Sequence, residues 1–367
     1  MKLIFTSYVS TNEYDDPAQW LKRIEAYTGI LESLGRIHKV TSIEKINYEG
    51  DYEQNGVRYI FTRQKQKTVR FPFRMHRLIK KLQPDIVFIN GLIFPLQIMQ
   101  LKLRVGRKVK IICLHRAEKP FSGIKKYLQV AADPCIDAYL FSSFAFSDRW
   151  KSNIDPGKMK EVMQASSIFS PTNQSYARTI TGIHGDPVFL WVGRLDANKD
   201  PLTVVSAFLD FVRLQPEARL YMIYQNQDLL ASLKQLVDSD ENGASVILVG
   251  QINHGELENW YNSADFIISG SHYEGGGTSV VEAMSCGCIP VVTDISSFRA
   301  ITGKGKCGLL YEPGNKNALL QALQKTSGMH RLEERQRTLQ QFKEELSFDA
   351  IARKINSVIA SIQSNDE

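Results

Sequence analysis

Short apolar runs alternate with amphipathic stretches along most of the chain. In the first half, the runs that predict strands are residues 2–8, 37–43, 59–62, 86–90, 110–115 and 138–142. Amphipathic stretches that predict helices lie between them, at 17–34, 73–82 and 122–132. Strands that alternate with helices indicate a parallel sheet covered by helices on both faces.

The same alternation resumes after a polar segment, residues 171–186, which contains Pro and Gly and is expected to be an interdomain linker. The second series of predicted strands is 188–192, 219–224, 246–249, 266–269, 289–293 and 309–311. Asp200 and Pro201 are typical of the start of a helix. The pattern predicts an α/β protein with two tandem Rossmann-like, doubly wound parallel-sheet domains facing a cleft.

A chain of 367 residues has room for two domains that each bury a core. We expect an N-terminal domain at 1–170, the linker at 171–186, a C-terminal domain at 187–345 and a final helix within 346–367. The final helix can pack back on the N-terminal domain. With no apolar run of about 18 residues, no export signal and five Cys, the sequence favours a cytoplasmic protein without a membrane span.

Positive charge is concentrated in the first half of the chain. Residues 1–150 carry 25 Lys and Arg against 14 Asp and Glu, whereas the remainder carries 20 against 25. Residues 57–82 contain no acid and nine cations: Arg58, Arg63, Lys65, Lys67, Arg70, Arg74, Arg77, Lys80 and Lys81. This asymmetry indicates peripheral contact with an anionic membrane or an acidic acceptor, or else a basic face that is only solvated. We expect no nucleic-acid partner.

Two cations follow the first strand of the second series. Gly193 ends that strand, Arg194 and Lys199 come next, and a helix begins soon after. A strand end, a glycine, two cations and a helix N-terminus together are typical of an anion site. Arg can bind a phosphate through two parallel hydrogen bonds, and Lys acts as a mobile point charge. The alternative is a turn with two surface cations.

A glycine-rich loop follows the predicted strand at 266–269. Its chemistry-bearing residues are Glu274, Gly275, Gly276, Gly277, Thr278, Ser279 and Glu282. Three consecutive glycines let the backbone approach a ligand closely, and the residues after them can open a helix. Glu274 precedes the turn and Glu282 lies about one turn into the helix. Both carboxylates can accept hydrogen bonds from sugar hydroxyls. The alternative is a helix-capping acid and a solvent-facing acid, and the three glycines argue against it.

At this point the chain resembles a known family, the retaining glycosyltransferases of family 4 (glycosyl transferases group 1), which have the two-Rossmann GT-B fold. The resemblance runs from about residue 187 to 323. The matching segments are 249–252, 258–265, Tyr273-Glu274-Gly275, 281–287, 290–292 and 308–314, together with Gly193-Arg194 and Lys199. Two glutamates separated by seven residues are the family's hallmark, and Glu274 and Glu282 match it.

The resemblance implies a role for each matching residue. Arg194 and Lys199 would neutralise the diphosphate of a sugar nucleotide, and the glycine loop with Thr278 and Ser279 would hold the donor. Glu282 would bind ribose hydroxyls, and Glu274 would contact the transferred sugar. His115, at the end of an N-domain strand, matches a histidine that faces the donor sugar in the family; the alternative is an ordinary loop histidine.

The expected protein is therefore a retaining glycosyltransferase of the hexosyltransferase type, using UDP or GDP sugars without a metal or other cofactor. Its acceptor would be a glycan, glycolipid or lipid-linked molecule, as in bacterial surface-polysaccharide synthesis. Alternatives are a sugar-nucleotide epimerase or phosphorylase of the same fold, or a non-catalytic sugar-nucleotide-binding protein. Where family members usually have an aromatic residue and Gly after Glu-Gly, this chain has Gly276, Gly277 and Thr278.

Overall fold

Two α/β units, each built around its own sheet, make up the chain in the computed structural model. The structure describes residues 1–63, 70–116 and 118–364, so Lys65 and Lys67 of the basic segment lie outside the described residues. The first unit comprises Met1–Ser166 and the described residues from Phe348 onward, and the second comprises Ser167–Ser347. The second unit is thus inserted into the first along the chain.

The first unit contains an eight-stranded sheet in the order β3-β4-β2-β1-β5-β6-β7-β8. All neighbouring strands are parallel except β3, which is antiparallel to β4. The strand order reverses between β1 and β5. The strands are β1 (Lys2–Ser7), β2 (Lys39–Glu44), β3 (Gly50–Gln54), β4 (Val57–Phe61), β5 (Ile86–Asn90), β6 (Lys110–Leu114), β7 (Ala138–Phe141) and β8 (Met159–Glu161).

Helices cover the two faces of this sheet. Because parallel crossovers are right-handed, helices that lead toward β2 lie opposite those that lead toward β5, β6 and β7. Helix α3 packs against α4 and α4 against α5, whereas α2 packs against the terminal helix α14. The helices are α1 (Pro17–Arg23), α2 (Glu25–Gly35), α3 (Phe73–Leu82), α4 (Pro95–Val105), α5 (Lys126–Ala132) and α14 (Phe348–Ser364).

The second unit contains a fully parallel six-stranded sheet in the order β11-β10-β9-β12-β13-β14, which reverses between β9 and β12. Its strands are β9 (Val188–Gly193), β10 (Arg219–Tyr224), β11 (Val246–Gly250), β12 (Phe266–Ser269), β13 (Ile289–Thr293) and β14 (Leu309–Tyr311). Its helices are α6 (Gln174–Thr181), α7 (Pro201–Val212), α8 (Leu230–Asp238), α9 (Leu257–Ser263), α10 (Thr278–Ser285), α11 (Ser296–Ile301), α12 (Lys316–Thr326) and α13 (Arg331–Gln341).

The predicted fold class is confirmed, and every predicted strand is present to within two residues at each end. Two strands escaped prediction. Strand β3 is a polar, mostly exposed edge strand, and β8 has only three residues, so neither carries an apolar run. The helix expected at 17–34 is interrupted at Ile24, which separates α1 from α2.

The expected linker at 171–186 differs from what the structure contains. These residues belong to the second unit, and half of them form helix α6, which packs against α9. Asn173 caps this helix by accepting from the Tyr176 N–H, and Arg178 forms an ion pair with Asp265 at 3.0 Å. Polar composition concealed a short helix whose inward positions are small or polar, such as Ala177.

Residues Phe348–Ser364 belong to the first unit and form α14, the helix expected near the C-terminus. Asp349 accepts hydrogen bonds from Ser33 at 2.7 Å and from Arg36 at 3.0 Å. A Cβ placed on Gly29 would lie 2.6 Å from the Phe348 ring. The small residue on α2 therefore makes room for the first aromatic ring of the terminal helix.

Candidate functional site

The two motifs singled out in the sequence meet at one point of the second sheet. The cation-bearing turn follows β9 and the glycine loop follows β12, and these two strands are neighbours. From β9 the chain continues to β10 on one side of this pair, and from β12 it continues to β13 on the other side. Open α/β sheets bind ligands beyond the carboxyl ends of their strands at such a reversal of strand order.

The turn after β9 is held rigidly at the start of α7. Asp200 has a φ of +44° and its carboxylate accepts from the Thr203 N–H, so it caps the helix that Pro201 begins. Arg194 is mostly exposed and lies 3.2 Å from Asp196. Gly193 fits closely, because a Cβ there would lie 3.2 Å from the Trp191 ring.

Lys199 and Glu274, predicted from separate motifs, form an ion pair between Nζ and Oε1. Both side chains are largely buried, with 18% and 13% of their surface exposed. Ser271 also donates its hydroxyl to Glu274 Oε1 at 2.7 Å. An ion pair in a largely buried position is less screened by solvent than a surface pair.

The backbone also ties the two loops together. The Asn198 side chain donates to the Tyr273 carbonyl at 3.0 Å, and the His272 N–H donates to the Asn198 carbonyl at 2.9 Å. A Cβ on Gly270 would lie 3.0 Å from the Lys199 carbonyl oxygen. The loops therefore hold Lys199 and Glu274 in a fixed relation.

Gly277 is the residue before α10 and has a φ of +56°. It supplies no side-chain oxygen to the first N–H groups of α10, which by geometry have no acceptor within the helix. Such N–H groups and the helix dipole favour an anion. Gly275 and Gly276 complete the loop, and a Cβ on Gly276 would meet no atom within 4 Å.

Glu282, inside α10, is 5% exposed. Its Oε1 lies 2.8 Å from His254 Nε2, and its Oε2 accepts from the Tyr261 hydroxyl at 3.1 Å. Neither His254 nor Tyr261 is among the site residues predicted from the sequence. Since His254 follows β11, the strand order could have placed it at the carboxyl edge of the sheet. Carboxylate oxygens have lone pairs for further donors.

His115 follows β6 in the first unit and is 3% exposed. Its Nε2 lies 3.0 Å from the Glu118 carbonyl oxygen, and its ring packs near Phe141 and Phe146. Burial lowers the pKa of His115, which favours the neutral ring, and the interaction with Glu118 opposes that effect. Among the described residues its buried Nδ1 has no hydrogen-bond partner.

Residues 174–345 match the family described as glycosyl transferases group 1. The match covers nearly all of the second unit. It contains both cations of the turn, the whole glycine loop and Glu282.

Curated relatives match over about the same share of this chain. Mannosylfructose-phosphate synthase of Agrobacterium fabrum is 33% identical over 140 residues, which are 36% of this chain and 31% of the relative. A diphospho-undecaprenol 4-alpha-N-acetylgalactosaminyltransferase of Campylobacter jejuni is 30% identical over 142 residues, 38% and 36% of the two chains. The matched region thus spans about a third of these relatives.

Solved structures resemble this chain over its full length. A glycosyltransferase from Rickettsia africae has a TM-score of 0.73 at 16% identity, with 99% of both chains covered. The Anabaena protein HepE in complex with UDP has a TM-score of 0.71 at 14% identity, covering 98% of this chain and 100% of the other. These similarities establish the GT-B fold, with two Rossmann-like domains.

Proposed function

We propose that this protein is a retaining glycosyltransferase of the hexosyltransferase type. It moves a sugar from a nucleoside diphosphate to a glycan, glycolipid or lipid-linked acceptor, in bacterial surface-polysaccharide synthesis. The observation that carries this proposal is the contact of Lys199 with Glu274 beside the glycine-capped start of α10. A cation, a carboxylate and the N-terminal N–H groups of a helix suit a ligand that carries both phosphates and hydroxyls.

The donor diphosphate lies against Arg194, Lys199 and the first N–H groups of α10 in this proposal. These groups stabilise the negative charge that develops on the leaving diphosphate. The same positive groups allow the reaction to proceed without a bound metal or other cofactor. Glu282 accepts from the ribose hydroxyls, positioned by His254 and Tyr261.

Glu274 contacts the transferred sugar after the donor has displaced it from Lys199. Without a ligand, each of these charges is the other's partner. An incoming diphosphate competes for Lys199, so the carboxylate of Glu274 becomes available to sugar hydroxyls. His115 of the first unit is the further residue proposed to face the donor sugar, acting as a neutral hydrogen-bonding group.

The comparisons support a sugar-nucleotide donor. The Anabaena protein of the same fold has been crystallised with UDP and with UDP-glucose. Matching relatives include a poly(glycerol-phosphate) alpha-glucosyltransferase and an alpha-monoglucosyldiacylglycerol synthase, whose names describe a polymer substrate and a lipid product. UDP or GDP sugars are therefore the first donors to test here.

A thermal-shift screen of UDP and GDP sugars tests the donor site directly, because a ligand bound only by the folded protein raises its melting temperature. We expect at least one donor to shift the native chain and to shift Lys199→Ala much less, with exposed Lys234→Ala as the matched control. If no donor shifts the native chain, the donor-site proposal fails.

Product analysis then tests the reaction itself. We expect sugar transfer with retained anomeric configuration, measured by NMR, and unchanged rates in a metal chelator. Release of free nucleotide with an altered sugar and no acceptor would indicate an epimerase. Dependence on inorganic phosphate would indicate a phosphorylase, and tight donor binding without turnover on any acceptor would indicate a binding protein.

A basic surface on the first unit supports binding of the protein to an anionic membrane. Helices α3, α4 and α5 lie side by side, and residues 70–82, 95–109 and 119–132 contain twelve Lys and Arg and no acid. Large apolar side chains are exposed among these cations: Phe71, Phe73, Leu103, Ile124 and Tyr127. Cations attract anionic lipid and exposed aromatic rings insert at the headgroup level.

None of the helices in the described part of the chain has the length and hydropathy of a membrane-spanning helix. We therefore propose peripheral binding at the cytoplasmic face of the membrane. Co-sedimentation with anionic vesicles at low salt tests it, with Arg77→Glu combined with Lys80→Glu expected to abolish binding and Lys39→Glu on β2 as control. If the native chain does not bind the anionic vesicles, the membrane proposal fails and an acidic acceptor is favoured.

A further inference from the structure

The first unit contains a cavity of about 540 Å³ lined entirely by its own residues. Residues from the carboxyl ends of β1, β2 and β5 form part of its wall, including Ser7, Glu44 and Asn90. The strand order of this sheet reverses between β1 and β5. The cavity therefore occupies the position at which open α/β sheets bind ligands.

Lys45 belongs to the wall of this cavity and is 5% exposed. Its buried Nζ has no hydrogen-bond partner among the residues that the structure describes, and lies 5.3 Å from the centroid of the Tyr8 ring. Burial lowers the pKa of Lys45 to about 7. Buried charges in proteins are normally paired, so this amine lacks the anion that would hold its proton.

Arg116 is a second cation in the wall. Its guanidinium donates from Nε and Nη2 to Asn90 Oδ1, at 3.1 and 2.6 Å, and lies 5.2 Å from the Tyr27 ring. Asn90 and Tyr27 hold the guanidinium in place, but neither carries a negative charge that would neutralise it. The guanidinium is suited to binding a carboxylate or phosphate through two hydrogen bonds.

The carboxylates of the wall are engaged by other donors. Glu44 accepts from the Ser42 hydroxyl at 2.6 Å and from Trp20 Nε1 at 3.0 Å, and burial raises its pKa. Glu118 accepts from two backbone N–H groups, those of Leu92 and Arg116. Among the described residues, neither carboxylate forms a hydrogen bond with Lys45 Nζ, although the charges of both act on Arg116. The amine of Lys45 is therefore left for the anion of a ligand.

We propose that this cavity binds an anionic group, a carboxylate or a phosphate, carried by the sugar acceptor, with Lys45 and Arg116 as its cationic partners. The proposal rests on the function proposed above, because it assigns the acceptor's chemistry to a site in the first unit. It adds a class of acceptor, acidic or phosphorylated sugars, to a reaction whose donor site lies in the second unit.

Direct binding to the full chain, without donor, tests this proposal. The probes are methyl glucuronide for a carboxylate, glucose 6-phosphate for a phosphate and methyl glucoside as the neutral match. Affinities are measured by ligand-observed NMR at constant ionic strength, at a pH below the Lys45 pKa of about 7. We compare the native chain with Lys45→Met and with Lys39→Met, an exposed lysine at the start of β2, the strand that Lys45 follows.

We expect at least one anionic probe to bind about tenfold more tightly than methyl glucoside, as a charge-assisted contact predicts. Lys45→Met should remove most of that preference, and Lys39→Met should leave it unchanged. The more tightly bound of the two anionic probes identifies the source of the charge. Equal binding of charged and neutral probes, equal effects of the two variants, or no binding of any probe overturns the proposal.

Donor thermal shifts on the same variants separate this proposal from the donor proposal. Lys45→Met should keep the native donor shift, because Lys45 belongs to the first unit. If donors shift the melting temperature while no probe shows a charge preference, only the anionic-acceptor proposal fails. If the charge preference is present and no donor binds, only the donor proposal fails.

Discussion

At the scale of single residues, the contact between Lys199 and Glu274 joins the two parts of the proposed mechanism. Glu274→Gln keeps the shape of the side chain and removes its charge. We expect transfer to fall by about 100-fold or more, while UDP binds as well as before or more tightly because Lys199 has lost its anionic competitor. Steady-state rates and UDP titration measure the two effects separately.

A matched control for this variant is Glu217→Gln, an exposed glutamate of the same unit. It should transfer sugar at the native rate. Native transfer by Glu274→Gln would exclude a direct part for its charge in the reaction.

Lys45 makes stability depend on pH in a definite direction. Its pKa is about 7 in the folded chain, against 10.5 for an ordinary lysine, so between these values the unfolded chain binds a proton that the folded chain does not. Stability therefore rises with pH over this window. Lys45→Met removes the burial cost, and we expect it to raise the melting temperature by roughly 2–4 °C below pH 7, with less gain toward pH 10.

Scanning calorimetry of the native chain and Lys45→Met across this pH window measures the difference. Tyr8 and His76 lie near the amine, and in the folded chain they titrate outside the window, because burial raises the pKa of Tyr8 and lowers that of His76 to about 4. A gain that is the same at every pH would contradict a buried, titrating Lys45.

At the scale of elements, the start of α10 depends on the conformation of Gly277. A Cβ there would lie 2.8 Å from Ile301 Cδ1 and 2.9 Å from the Phe298 ring, in a left-handed backbone conformation. We expect Gly277→Ala to destabilise the second unit by about 1–3 kcal/mol. Gly276→Ala, whose new methyl group would meet no atom within 4 Å, should melt as the native chain does.

Chemical denaturation measures the free energy of unfolding of the two alanine variants, which differ only in their position within one loop. Equal stability of both variants would mean that the loop relaxes freely around Gly277. It would then be a poor rigid support for a bound diphosphate.

The sequence predicted the elements that bury a continuous run of apolar residues. It missed the elements that bury few apolar residues. Strand β12 is buried at every position, and its apolar run was sufficient to predict it. Helix α6 rests on Asn173, Ala177 and an ion pair of Arg178, which leave no apolar stripe. The site residues predicted from the sequence rest on family motifs. His254, which contacts Glu282, carries no such motif and could be placed only from the order of strands in the sheet.

At the scale of the whole molecule, the last helix completes the first unit. Its packing is tested by Gly29→Ala, whose methyl group would lie 2.6 Å from the Phe348 ring. Although alanine favours a helix, we expect a net loss of about 1–2 kcal/mol from overpacking. Phe348→Leu in the same background should restore part of the loss, and Gly328→Ala, in an open position, is the control.

A double-mutant cycle measured by thermal unfolding isolates the contact between Gly29 and Phe348. Additive effects of the two substitutions would mean that α2 and α14 do not press on each other at this point.

The distribution of charge is also a property of the whole molecule. The sequence located the basic half of the chain, but only the side-by-side packing of α3, α4 and α5 gathers its cations on one surface.

The insertion of the second unit within the first gives the chain an order of assembly during synthesis. Ser167–Ser347 is continuous, so it can fold as soon as it leaves the ribosome. The first unit, although translated earlier, lacks the cover for α2 until α14 emerges after the second unit. Its buried apolar surface stays partly open until then, so a premature stop after residue 347 would release a protein with an intact second unit and an unfinished first one.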